Sequence, residues 1–96
     1  MNEVEVLLSR LAADQLVALP PAIGRSMAQA LARLAILPES APTISEEGYR
    51  IYRQVIVNHY RAVYRYFPDK NCVRVYCILH TRRLLPASEF LTYQLF

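Results

Sequence analysis

Lysine, glycine, cysteine and tryptophan are all scarce: one lysine, two glycines, two cysteines and no tryptophan in 96 residues. So few glycines argue against a loop-rich scaffold, and an apolar fraction of 54% excludes a disordered chain. Cys72 and Cys77 stand five residues apart on one predicted strand, which sends their side chains to opposite faces. They cannot close a bridge there, and without a suitably placed histidine pair they make no zinc site. The expectation is two buried thiols in a reducing compartment, with no metal and no cofactor. No apolar run approaches the roughly 18 residues that a membrane span needs. The chain opens Met-Asn-Glu-Val-Glu, acidic where a signal peptide is basic, so a cytoplasmic protein with no membrane partner is expected. Its length suits a single domain over residues 1–96, long enough for a real core.

What is present is arginine, and it is segregated. Between Tyr49 and Arg83 eight basic residues stand against Asp69 alone, whereas the first 48 residues carry three arginines against six acids. An acidic half is joined to a strongly basic half, a distribution whose field attracts an anionic partner without specifying which. Guanidinium groups recognise phosphate and carboxylate through planar bidentate pairs, although genomic base composition gives the same arginine bias.

Hydrophobic periodicity gives the order of elements. Val4, Val6 and Leu8 alternate as in a short half-buried strand. Ser9 is placed to cap a helix that Pro20-Pro21 stops. Ile23, Met27, Leu31 and Leu34 form one stripe of a second helix over Ile23 to Leu37, ended by Pro38. The tight connection predicts an antiparallel helical hairpin. Glu39 to Gly48 reads as a loop. Strands follow over Tyr49 to Val57, Tyr60 to Phe67 and Cys72 to His80, joined by turns at Asn58-His59 and Pro68-Asp69-Lys70-Asn71. A short helix from Ala87 to Tyr93 is predicted in the apolar tail. The fold class is α+β, in the order β-α-α-β-β-β: an antiparallel sheet with the hairpin packed on one face.

Period-two geometry on the third strand puts Arg61, Val63, Arg65 and Phe67 on one face and Tyr60, Ala62, Tyr64 and Tyr66 on the other. Since the helices cover only one face, the arginine side is expected to be open and wet. Two readings of these arginines stand: guanidinium groups lying over neighbouring tyrosines, or a binding surface that includes Arg53, Arg61 and Arg65. His80-Thr81-Arg82-Arg83 ends the last strand, where side chains become accessible. His80 can act as a contact, a packing group or an acid–base catalyst, the last only with a partner that sets its tautomer. Seven tyrosines suit cross-strand packing and equally a stacking platform for single-stranded nucleic acid. The tail, with Phe90 and Leu91, either closes the core or forms a patch for another chain.

The strand Tyr60-Arg61-Ala62-Val63-Tyr64-Arg65, followed by Val75-Tyr76-Cys77-Ile78-Leu79-His80-Thr81-Arg82-Arg83, resembles the tyrosine-arginine strand and closing strand of the RelE/ParE superfamily of toxin–antitoxin toxins. The element order and the approach through Leu8-Ser9-Arg10 into a helical hairpin resemble it as well. The resemblance covers nearly the whole chain and implies a toxin neutralised by a cognate antitoxin, in a toxin–antitoxin hetero-oligomer. It also implies one of two activities. The ParE-like branch poisons DNA gyrase and the RelE-like branch cuts mRNA on the ribosome; one fold carries both. A sheet without lysine, the absence of a tyrosine between Arg83 and Tyr93, and the sequence Leu84-Leu85-Pro86 tilt the reading toward ParE. In the RelE-like alternative Arg61, His80 and Arg82 or Arg83 would form a minimal RNase site, the arginines neutralising the phosphorane and His80 moving the proton. A degenerate, non-toxic member of the family is the remaining alternative.

Overall fold

The computed structural model describes residues 3–96. The first strand, β1 (Glu5–Leu8), leads directly into α1 (Arg10–Ala18) through Ser9. The Ser9 hydroxyl accepts from the Ala12 amide at 3.0 Å and donates to the Tyr76 carbonyl at 2.9 Å, so one buried side chain caps the helix and pins it to the sheet. Helix α2 (Pro21–Ala32) starts two residues earlier than the apolar stripe suggests. Proline tolerates the first helical position because its missing N–H would have no partner there. After Ala32 the chain tightens into a 3-10 turn over Arg33–Ala35, which buries Leu34 before Pro38 ends the helical run.

Strands β2 (Arg53–Val57), β3 (Tyr60–Phe67) and β4 (Cys72–His80) form the expected antiparallel meander. Asn58 and Asn71 adopt left-handed conformations at the two turns, with φ of 54° and 50°. The predicted second strand begins late: Tyr49–Tyr52 forms a turn, closed by a bond from the Tyr52 amide to the Tyr49 carbonyl, which swings the Tyr52 ring inward. The sheet order is β1-β4-β3-β2, and β1 joins β4 in parallel, so the sheet is mixed. The last helix, α3 (Ser88–Thr92), is a shorter form of the predicted Ala87–Tyr93 segment.

Two cores lie on the two faces of this sheet. The helical hairpin contributes Ala12, Met27, Leu31 and Leu34 against Ala62, Tyr64, Val73, Val75 and Ile78. On the opposite face Ile44, Tyr52, Val63, Tyr76, Cys77, Leu79 and Leu91 form a second cluster. The expectation of an open arginine face is therefore corrected at its Arg61 end. The loop before β2 and the C-terminal tail fold back over it, because their apolar side chains gain more by burial than by solvation.

A bulge between the β3–β4 pairs Val63–Cys77 and Tyr64–Val75 leaves Tyr76 without a partner. One extra residue reverses the alternation of faces along the rest of β4. Val73 and Val75 face the helices, and beyond the bulge so does Ile78, while Cys77 and Leu79 join the second core. Cys72 and Cys77 thus fall on the same face, contrary to the simple period-two reading, and both thiols are free and buried.

Candidate functional site

The bulge decides where the basic residues at the end of β4 point. His80 is the cross-strand partner of Tyr60, whose ring packs against the helix-side core, so His80 lies on the helix side of the sheet. Arg61 lies on the other side, among the second core's residues. Arg61 and His80 therefore do not share a cavity.

Around His80 the structure forms an open cleft of about 580 Å³ between the C-terminal end of α1 and the end of β4. Gln15, Leu19, Tyr60, His80, Arg82 and Arg83 line it. The cleft exists because β1 pairs only with the first half of β4, from Cys72 to Val75. Beyond that point α1 takes over: the Ser9 amide reaches the Val75 carbonyl, and the Ile78 amide donates to Gln15 Oε1 at 2.7 Å. His80 Nδ1 accepts from the Arg82 amide at 3.1 Å, so the proton of the neutral ring sits on Nε2. The His59 ring lies nearly parallel to that of His80 at 6.0 Å, and Tyr60 meets it edge-on at 5.2 Å. The Arg82 and Arg83 side chains are exposed on the turn that follows.

Arg61 has a different character. It is 8% exposed, and its guanidinium ties together three separate parts of the chain. Nη2 donates to the Arg83 carbonyl at 2.9 Å and Nη1 to Gln54 Oε1 at 3.3 Å, with Glu46 Oε1 3.6 Å from Nη1. Its Nε has no partner. Arg53, on the edge strand, is likewise engaged: Nη1 donates to the Ala41 carbonyl at 2.7 Å, and Nη2 pairs with Glu39 at 3.5 Å. Both residues hold the segment before β2 against the sheet.

Two ionisable groups of the second core are held neutral. Burial pushes the Cys77 thiol up to about 12, against an opposing pull from the Arg61 charge. Burial also raises Tyr76, more than the Arg65 and Arg74 guanidinium groups lower it. These groups stay protonated near neutrality and cannot serve as a general base for chemistry at Arg61.

The tail residues divide. Leu91 is fully buried in the second core, whereas Phe90 is 49% exposed. Arg65 remains at the surface, half-buried, with Arg74 directly opposite on β4. Arg74 was missed by the sequence reading, as were Gln15, Gln54 and Glu46. The register of a hairpin closed by the Pro68–Asn71 turn places Arg74 beside Arg65; the partners of Arg61 come from loop packing that leaves no local signal.

These features can be set beside known proteins. A family model described as the ParE toxin of the type II toxin–antitoxin system parDE matches residues 6–85. The chain belongs to this family. It is a toxin of a type II toxin–antitoxin system, within the RelE/ParE superfamily. A search of curated protein sequences gives no match. Among solved structures, the fold is similar to that of the RelBE2 toxin–antitoxin complex of Mycobacterium tuberculosis, at 19% identity and a TM-score of 0.72, covering 81% of this chain and 98% of that one. The isolated RelE toxin of E. coli matches at 16% identity and 0.69, covering 84% and 87%. The archaeal RelE–RelB complex of Pyrococcus horikoshii matches at 18% and 0.67, covering 85% and 99%. At these identities the likeness is one of fold.

Proposed function

We propose that this toxin acts in the cytoplasm by binding and inhibiting DNA gyrase, without chemistry of its own, and is neutralised by a cognate antitoxin. The observation that carries this reading is the separation of Arg61 from His80 by the sheet. A nuclease needs its phosphate-holding cations and its acid–base group on one reacting phosphate, within hydrogen-bond reach of it. Here the Arg61 guanidinium is locked into Gln54, Glu46 and the Arg83 carbonyl, while His80 opens on the other face. The Cys77 thiol, which feels the Arg61 charge, is held neutral by burial. What stays accessible is a binding surface: the His80–Arg82–Arg83 cleft and the exposed tail residues Leu84, Tyr93 and Leu95.

A supercoiling assay with purified gyrase tests this. Inhibition by the purified toxin, relieved by its antitoxin, is the expected result, and expression without the antitoxin should arrest growth. A single observation favours an mRNA endonuclease: Glu46 lies beside Arg61, a carboxylate next to a cation on the sheet face. Unaffected supercoiling together with codon-linked mRNA cleavage in a translating extract would establish that second activity instead.

A further inference from the structure

On the same face of β3 as Arg61, four residues along the strand, stands a second group of cations that no carboxylate among the described residues neutralises. Arg65 and Arg74 are direct cross-strand partners, a placement in which like charges repel. The Arg65 guanidinium carbon lies 4.6 Å from the centre of the Phe67 ring and that of Arg74 5.0 Å, with the Lys70 ammonium at 5.9 Å. Three cations converge on one aromatic ring. The Arg74 guanidinium also lies 5.6 Å from the Phe96 ring. Among the described residues the ion pairs are Arg53–Glu39 and Arg61–Glu46, so no carboxylate reaches this group. Arg74 Nε is sealed from solvent and has no hydrogen-bond partner.

We propose that Arg65 and Arg74 form a carboxylate clasp, a docking point for an Asp- or Glu-bearing segment of a protein partner. The proposal deepens the toxin–antitoxin reading and rests on it only for the identity of that partner. Two guanidinium forks side by side match carboxylates through paired N–H···O bonds, and the aromatic ring beneath them holds their planes in place. A peptide fits better than a single-stranded nucleic acid. The Phe67 ring is already engaged by the Arg65 and Arg74 guanidinium groups, which a stacking base would have to displace. Beside the pair, half-exposed Phe96 and exposed Leu95 offer apolar contact suited to the aliphatic side chains of an acidic segment. The uncompensated repulsion gives the clasp a signature: removing one cation stabilises the free protein while weakening the complex.

Thermal unfolding and fluorescence anisotropy of the full-length protein, titrated with oligoglutamate and with oligodeoxythymidylate of equal charge, test the proposal. Oligoglutamate should raise the unfolding midpoint of the wild type. Its affinity should fall by about tenfold or more in Arg65→Met and in Arg74→Met, the loss expected for a charge-assisted pair. The unliganded Arg74→Met protein should melt above the wild type. Arg25→Met, on an exposed position of α2, should keep wild-type affinity. The clasp is overturned by absent oligoglutamate binding, by tighter binding of the oligodeoxythymidylate, by an equal loss in Arg25→Met, or by unliganded midpoints that fall in both clasp variants. These readouts are independent of gyrase, so failure of the clasp and failure of the gyrase reading are separately visible.

Discussion

Arg61 and Arg65 occupy the same face of the same strand, yet the structure uses them in opposite ways. At the Arg61 end the guanidinium is enclosed by the loop before β2, by Gln54 and by the turn after β4. At the Arg65 end a second arginine faces the first, and among the described residues no acid answers either. The difference teaches that a basic strand face is not one surface. A guanidinium whose two terminal nitrogens are engaged by a backbone carbonyl, an amide oxygen and a nearby carboxylate acts as a structural joint, whereas one that no acid answers keeps its binding capacity for a partner. Enclosure comes from the chain folding back over one end, not from the arginines themselves.

The comparison can be broken from the Arg61 side first. Leu91 is fully buried in the cluster that covers Val63, Cys77 and Leu79, the cross-strand partner of Arg61. Leu91→Ala should cost about 2–4 kcal/mol in urea unfolding, as expected for truncation in a packed core. Arg61→Met should cost about 2–3 kcal/mol, since it strands the Arg83 carbonyl and Gln54 as well as removing a charge-assisted bond. Ser9→Ala, which removes both a helix cap and a buried bond to the Tyr76 carbonyl, should cost about 1–2 kcal/mol.

A pH profile sharpens the contrast further. The Cys77 thiol ionises near the ordinary value of 9 once unfolded but only at about 12 when folded. The folded state then holds the proton that the unfolded state has lost, so stability should fall as pH rises from about 9 toward 12. Tyr64 and Tyr76, also raised by burial, add to the decline above their ordinary value of 10.0. Cys77→Ala should show a shallower decline, measured as the urea midpoint against pH. An unchanged slope would mean that the thiol is not enclosed beside Arg61.

Much of this was legible in the residues. The two faces of β3, the Ser9 cap, the helical hairpin, the proline-limited turn and the antiparallel meander all follow from local pattern, where periodicity and turn chemistry act within a few residues. The family likeness was legible too, through the order and spacing of the two basic strands. The geometry of the basic residues was not. The bulge at Tyr76 carries no sequence signature, yet it carries His80 to the helix side and brings Cys72 and Cys77 onto one face. The cover over Arg61 depends on Ile44, Tyr52 and Leu91, residues far apart in the chain whose meeting is a tertiary event. The parallel pairing of β1 with β4 is equally non-local.

The sharpest measurement is the urea unfolding midpoint of Arg61→Met beside that of Arg74→Met, both without ligand at neutral pH. The account predicts shifts of opposite sign: a clear loss for Arg61→Met, and a gain of about 0.5 kcal/mol for Arg74→Met as cross-strand repulsion is relieved. Two losses of similar size would show that both guanidinium groups are structural joints, and would contradict the division of this face into an enclosed half and a half left open for a partner.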